Sequence, residues 1–523
     1  MKKIFSYILL GSMALFSSCL DELDQMPNTE TTSKDVYTSV ANYKAVLAKI
    51  YASYVMTGQQ MGGGNSDISS VTGQDYMRCY FNLQQAGTDE LAMTWLEGDN
   101  LYGLSYMSWD ANDPWVTDLY YRAYYTITLS NELLRNSSES KISTFSEDEQ
   151  KELRLFAAET RFLRAMSYYH VLDLYRKGPF VNENDPVGAF IPPCYDSNQL
   201  FAFIESELKE IALILPSKND VEAGRASRGA VNSLLAKLYL NAEVYTSKSY
   251  YDECIEAANL VLADGYSLED DYSKLFNAEN DKRTNEIIFS FGIDSKYSVS
   301  WGSSTYIVCG AMGTTSDYLN SKDYGVEAPW GSFRAKGALT SLFEEEDKRA
   351  MFFTEGQGQF VEVLDNQSQG YFVTKWTNLT DSGETSSNTA SFGVDTDLPV
   401  FRLADVYLMI AESVARGSNK ETKSKAAEYV NLLRKRAYGS DAGNIDASEI
   451  SADMIIKERS RELYWEGTRR TDLIRNNMFT TGSYLWEWKG GTAAGRAVHS
   501  KYNYYPIPHS ELTANPNMTN PEY

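Results

Sequence analysis

The stretches RGAVNSLLAKLYLNAEVY (228–245) and YYDECIEAANLVLADG (250–265) constrain the fold most. Both repeat apolar residues every three or four positions, as amphipathic helices do. Ala230, Ala236, Ala242, Ala257 and Ala258 keep side chains small where two such helices approach closely. A pair of this kind, about 40 residues long, cannot cover its own apolar stripe and must stack on neighbouring pairs. FRLADVYLMIAESVARG and KAAEYVNLLRKRAYG, ending at Gly417 and Gly439, read as another hairpin.

More helices follow from the same periodicity. Ser33 can cap a helix through about Val55, with Val36, Val40, Tyr43, Leu47 and Tyr51 on one face. Trp115 to Leu134 is periodic, and Trp109 and Trp115 are expected in the core. Ser146-Glu-Asp-Glu149 is a capping box opening a helix to about Tyr175, which Gly178-Pro179 terminates. Helices are also expected at 197–214, 225–245 and 250–264. The hairpins resemble degenerate tetratricopeptide units without a clean consensus, so the expected fold is mostly α. The scaffold is assigned to about 33–58, 113–265 and 400–475.

Two regions break the pattern. Residues 266–399 are rich in Gly, Ser and Asp, and EIIFSFGID, FVEVLDN and YFVTKW read as strands among loops carrying Trp301, Tyr306, Tyr318, Tyr324 and Trp330. Residues 59–112 carry Tyr76, Arg78, Tyr80, Phe81, Trp95, Tyr102 and Trp109. Long irregular inserts in a helical protein are more often functional than decorative. Tyr and Trp combine an apolar face with a polar tip, which suits wet, planar recognition. Two such regions can converge on one face of the scaffold.

The N-terminus, MKKIFSYILLGSMALFSSC, runs from basic to apolar to small residues and reads as a secretory signal over 1–18. Cys19 follows in a lipobox-like position and is the expected lipidation site, with 19–32 as a polar tether. Two or more acyl chains anchor a protein stably, so the mature protein is expected to be tethered to a membrane surface. No later stretch is long and apolar enough to span a bilayer. The net charge of −23 and scattered Lys and Arg argue against a nucleic-acid partner. Cys79, Cys194, Cys254 and Cys309 lack CxxC spacing and are expected as free thiols. There is no GxSxG, no HExxH and no phosphate-cradling glycine loop.

The segments AAETRFLRAMSYYHVLDLYRKGPF (157–180), PVFRLADVYLMIAES (399–413), KERSRELYWEGTRRTDLIR (457–475) and YYPIPHSELTANPNM (504–518), in this order, resemble the SusD/RagB family of outer-membrane glycan-binding lipoproteins. The resemblance spans nearly the whole chain. It implies a SusD-like fold with ligand-binding loops on a helical scaffold, no enzymatic activity, and a SusC-like TonB-dependent outer-membrane transporter as partner. The implied ligand is an oligosaccharide or polysaccharide, with starch or another α-glucan favoured. A peptide ligand, as in the RagB branch, is the alternative. Glu458, Arg459, Glu462, Glu466 and Arg469 read as a fold-stabilising ion-pair network rather than as catalytic groups.

TDELAMTW (88–95), SSTYIVCG (303–310) and MFTTGSYLWEWKGG (478–491) are most similar to a starch-binding member of the family. That resemblance implies an aromatic arc of Trp95, Trp301 and Trp330, with Tyr318 competing for the last place, and Arg78 as a hydrogen-bond donor. The family asparagine falls at Gly98, next to Asp99 and Asn100, and Asn100 is taken as its replacement. Asp75 or Asp67 takes the place of the family aspartate. Asp395 and Asp397, with Asp281, are implied as ligands of a structural calcium ion. Independently of the resemblance, a sugar ring offers an apolar C–H face to an indole and a rim of hydroxyls to polar groups.

Overall fold

In a computed structural model, residues 33–314, 318–386 and 393–523 are described. Cys19, the signal segment and the tether lie outside them.

Ser33 opens only a single turn, Ser33–Val36; the longer helix is Val40–Val55, because the Ser39 hydroxyl accepts from the Asn42 N–H and caps it there. Pro114–Asn136 starts at the Asp113 cap, and Glu147–Tyr175 starts at the Ser146/Glu149 capping box. The latter ends at Arg176 in the left-handed conformation, and Gly178–Pro179 then forms a two-residue strand with Cys194–Tyr195. Ser197–Ile211, Arg228–Leu240 and Tyr251–Ala263 follow, the last two packed tightly together with Ala230, Ala236 and Ala258 fully buried. Leu403–Ala415 and Lys423–Tyr438 form the later hairpin, and Gly439 closes it with positive φ.

Among the described residues the strands form four antiparallel pairs. Ile287–Phe291 pairs with Leu398–Arg402, so the long insert leaves and rejoins the scaffold on one ladder. Leu91–Met93 pairs with Phe333–Ala335 and joins the two inserts. YFVTKW contributes only Phe372–Val373, paired with Phe352–Phe353. FVEVLDN is a loop instead of the expected strand. The Gln369 side chain accepts from the N–H groups of Glu362 and Val363, which diverts them from a ladder. Cys79, Cys254 and Cys309 are buried and Cys194 is half-buried, with no disulfide among the described residues. No helix of the described residues is long and apolar enough to cross a membrane.

The Glu/Arg cluster is a buried network. Glu462 bonds Arg402 at 2.7 Å, Arg436 at 2.6 Å and Arg349 at 3.0 Å. Glu458 bonds Arg349 at 2.7 Å and Arg434 at 2.8 Å, and Glu286 bonds Arg436 at 2.6 Å. Arg402 also reaches Glu466, which lies past the end of the Ala452–Leu463 helix rather than one turn along it. Arg459 bonds Asp405 and Asp472 at 2.8 Å, and Arg469 bonds Asp89 at 2.6 Å. Burial alone would raise the carboxyls of Glu458 and Glu462. Arg349, Arg461 and Arg434 around the first, and Arg436, Arg402 and Arg349 around the second, bring each down to about 2.

Because these folded-state values lie below the ordinary 4.5, their stabilisation is complete above about pH 4.5 and is lost as pH falls toward 2. Glu462→Ala leaves buried arginines uncompensated and should cost about 3–5 kcal/mol at neutral pH. Denaturant unfolding at pH 7 and pH 3 tests this: the variant's deficit should shrink at the lower pH.

Candidate glycan-binding face

The ladder between Leu91–Met93 and Phe333–Ala335 builds the site. Its register pairs Met93 with Phe333, and the Thr94 N–H continues it by donating to Ser332 O at 2.9 Å. Trp95 and Trp330 therefore lie just beyond the same ladder end, 235 residues apart in sequence. Their ring centroids are 6.4 Å apart, and Trp301 lies 6.0 Å from Trp330. The three indoles form a bent row: 31° between the planes of Trp95 and Trp330, and 45° between those of Trp301 and Trp330. Trp301 is 36% exposed, and Trp95 and Trp330 are half-buried. The row thus offers both accessible ring surface and firm seating.

Trp301 is fixed at both ends. Its indole N–H donates to Gly62 O at 2.8 Å, and its carbonyl accepts from Arg78 Nη1 at 2.7 Å. Arg78 also donates to Gln74 Oε1 at 3.1 Å and to Asp99 Oδ2 at 2.7 Å. Its guanidinium lies 3.9 Å from the centre of the Tyr306 ring, a cation–π contact. Arg78 is only 5% exposed; both of its Nη groups are bonded within the protein, while its Nε is buried without a partner. The expected ligand donor instead holds Trp301 and the turn after Trp95 in one arrangement.

Asp75 is likewise reassigned. It is fully buried as the cap of helix Tyr76–Gln85, accepting from the Arg78 N–H at 2.8 Å, from Ser300 at 2.5 Å and from Ser303 at 3.1 Å. A carboxylate with no exposed surface cannot meet a ligand, so its acceptor role is structural. A Cβ at Gly302 would stand 2.1 Å from its Oδ2, which explains the glycine there. The alternative, Asp67, is paired with Lys49 at 2.5 Å. Asn100 is exposed with φ +53° in the turn after Trp95, whose N–H groups close back on Trp95, Leu96 and Glu97 carbonyls. Tyr318 is 60% exposed and lies against Gly356 in another loop. Trp109 and Trp115 are buried, and Trp115 supports the site from below by donating to Asp99 O at 2.8 Å.

Sequence reasoning passed over Tyr306 and Asp99 as parts of the site. Tyr306 is fully buried under the arc, 6.5 Å from Trp330, and its hydroxyl donates to Asn82 Oδ1. An i, i+5 spacing from Trp301 onto a helix was the available signal.

The acidic group has donor chemistry suited to a hard cation. Asp397 is 9% exposed and has no cationic partner among the described residues; its Oδ1 accepts from the Ile293 N–H at 2.8 Å. Burial, with Asp281 and Asp395 nearby, pushes its carboxyl up to about 7. Asp395 accepts from Ser295 and Ser386, and Asp281 is exposed. Among the described residues no three His, Cys, Asp or Glu side chains are grouped as a metal site.

The chain is 32% identical over 574 aligned residues to the starch-binding protein SusD of Bacteroides thetaiotaomicron, covering all of this chain and 98% of that one. The protein belongs to the SusD family. The SusD family's sequence profile matches residues 263–523. A SusD-like protein, P25, of Formosa agariphila is 24% identical over 435 residues, 77% of each chain. In structure, a SusD superfamily protein from Parabacteroides distasonis superposes with a TM-score of 0.71 at 20% identity, over 94% of this chain and all of the other. Surface glycan-binding protein A of B. thetaiotaomicron, solved with laminarihexaose, superposes with a TM-score of 0.70 at 17% identity, over 93% and 100%. The expected mostly helical SusD-like fold is therefore the observed one.

Arg78→Ala removes hydrogen bonds from a charged donor, each worth about 1.5–3 kcal/mol. It should lower thermal stability and alter the near-ultraviolet circular dichroism of the tryptophans before any ligand is added. Asp99→Asn keeps an acceptor oxygen and should change both less.

Proposed function

We propose that this SusD-family protein is a lipid-anchored, cell-surface glycan-binding protein that hands captured oligosaccharide to a TonB-dependent outer-membrane transporter. The observation that carries the glycan reading is the row of Trp95, Trp330 and Trp301, with centroids 6.0–6.4 Å apart. Successive planar faces suit successive sugar rings, and the exposed Asn100 and partly exposed Asp99, in the turn that follows Trp95, are polar groups with surface in water for hydroxyls. The starch-binding relative and the laminarihexaose-bound neighbour support a glucan as ligand. In this reading Cys19 supplies the anchor, and membership of the SusD family supports the transporter partner. No enzymatic step is assigned.

Native affinity electrophoresis through gels containing amylopectin, laminarin, fructan, xyloglucan or mucin tests the glycan reading. Retardation by at least one polysaccharide is expected, and Trp95→Ala or Trp330→Ala should abolish it without lowering the melting temperature by more than a few degrees. Absence of retardation in every gel, with binding of peptide instead, would sink the reading.

Calcium is part of the same proposal. Asp397, Asp395 and Asp281, which are not grouped as a metal site among the described residues, would have to close around it, and its charge would relieve the cost of burying Asp397. Melting in calcium should then exceed melting in EDTA by several degrees, and Asp397→Asn should remove the difference. Identical melting of the unaltered protein in both buffers would reject a bound ion.

A further inference from the structure

The motif MFTTGSYLWEWKGG (478–491) supplies none of the three indoles of the row. With the loop that follows, it builds a cleft of about 430 Å³ lined by Tyr106, Gly490, Gly491, Arg496, His499 and Tyr502, among others. No Asp or Glu lines this cleft, although the chain carries a net charge of −23. Arg496 is also set apart from the other arginines. Except for the buried Arg122 and Arg334, every other arginine has a carboxylate within 4.0 Å. Arg496 is exposed and has none among the described residues.

The loop holds this arginine in place without using up its fork. Arg496 Nε donates to Gly490 O at 2.9 Å, and neither Nη group has a protein partner among the described residues. Gly490 has φ +65°, and a Cβ there would stand 2.9 Å from Arg496 Cγ, so glycine lets the side chain lie against this backbone. The Arg496 N–H donates to Lys489 O at 3.0 Å and the Gly495 N–H to Thr492 O at 2.9 Å. The buried Lys489 ammonium anchors the base by donating to the carbonyls of Met478, Thr481 and Tyr484 at 2.8, 2.6 and 2.7 Å. His499 Nδ1 accepts from the Lys501 N–H at 3.1 Å, so the ring proton sits on Nε2 and makes it a donor. The two tyrosines are seated from behind, Tyr106 stacked on Trp488 at 5.7 Å and Tyr502 edge-on to Trp109 at 5.0 Å. Burial, with Tyr102 and Asp365 adding to it, raises the Tyr106 hydroxyl, which stays a neutral donor; Asp365 itself does not line the cleft.

A guanidinium fork with two free Nη groups fits the two oxygens of a carboxylate. One lining cation among neutral donors matches a single negative charge better than a phosphate monoester, which carries about −1.5 to −2 at neutral pH. Aromatic walls suit the C–H face of a sugar ring. We infer that this cleft is a second binding site, separate from the tryptophan row, for the carboxylate of an acidic sugar such as a uronic acid. Arg496 takes the carboxylate, His499 Nε2 and the Tyr106 hydroxyl donate to the remaining oxygens, and Tyr502 offers its ring. The sugar part of this inference rests on the glycan reading above; the anion part rests on the residues of the cleft. Because the loop is closed by its own hydrogen bonds, the site is pre-organised and binding orders little more of the chain.

The imidazole resonances of the full mature chain test it, because the only histidines are His170, His499 and His509, and His499→Gln identifies the signal of interest. Glucuronate added at constant ionic strength should shift the His499 signal saturably and leave that of the buried His170 in place. Glucose at the same concentration should move neither. Arg496→Ala should weaken glucuronate binding about tenfold or more, and Arg496→Lys about threefold to tenfold, since lysine keeps the charge without the fork. Both variants alter an exposed side chain and should melt with the unaltered protein. Inorganic phosphate or sulfate binding as tightly as glucuronate overturns the acidic-sugar assignment. No His499 response to glucuronate, or an equal response in Arg496→Ala, overturns the site itself. Trp95→Ala should leave the His499 response unchanged, and Arg496→Ala should leave retardation by a neutral polysaccharide unchanged. Lost retardation with an intact His499 response therefore rejects the tryptophan row alone, and the reverse result rejects this cleft alone.

Discussion

The contact of Glu462 with Arg349, Arg402 and Arg436 carries the rest of the structure. Arg402 ends one strand of the ladder on which the long insert leaves and rejoins the scaffold, and Glu286, which precedes the other strand, bonds both Arg402 and Arg436. Arg349 comes from within the insert and Arg436 from a scaffold helix. One carboxylate thus joins the insert's interior, its base and the helical array. Such groups are costly to bury singly and are retained here because each has several opposite charges around it. The insert has little regular structure of its own, so this fixed base is what allows its loops to hold a shaped surface.

On that base the binding face is built by a second, smaller device. A three-residue ladder sets residues 91–93 against 333–335, and the residues just past its end are Trp95 and Trp330. Arg78 then secures the third indole through the Trp301 carbonyl and the turn after Trp95 through Asp99. The division of labour is clear in the burial: the aromatic rings keep surface, while the charged groups that position them are enclosed. This differs from the arrangement inferred from the starch-binding resemblance, in which the arginine and an aspartate meet the ligand directly. Here Arg78 and Asp75 are spent within the protein, and the polar groups left at the surface are Asn100 and the partly exposed Asp99.

The helical array was legible because its signals are local. Capping at Ser146, the small residues of 228–263 and the glycine ends of the later hairpin each act within a few residues, and periodicity reports the buried face directly. Boundaries slipped where a competing local bond won, as when Ser39 rather than Ser33 took the cap, or when the Gln369 side chain turned FVEVLDN into a loop. The ion-pair network was legible as residue types but not as partners: Glu466 meets Glu462 only through Arg402, not along a helix.

By itself, then, the sequence determined a mostly helical scaffold, the two aromatic inserts and the membership that their motifs carry, since these rest on short-range patterns and on the order of segments. The resemblance also named Trp95, Trp301 and Trp330 as one arc, and the structure brings these three rings together, but only the tertiary structure decided which polar groups face outward. Burial is a property of the whole packed chain: Asp75 and Asp99 look alike in sequence, yet one is enclosed under Ser300 and Ser303 while the other keeps an edge in water. A row of indoles drawn from residues 95, 301 and 330 exists because strands far apart in the chain pair in one register, which no local pattern encodes.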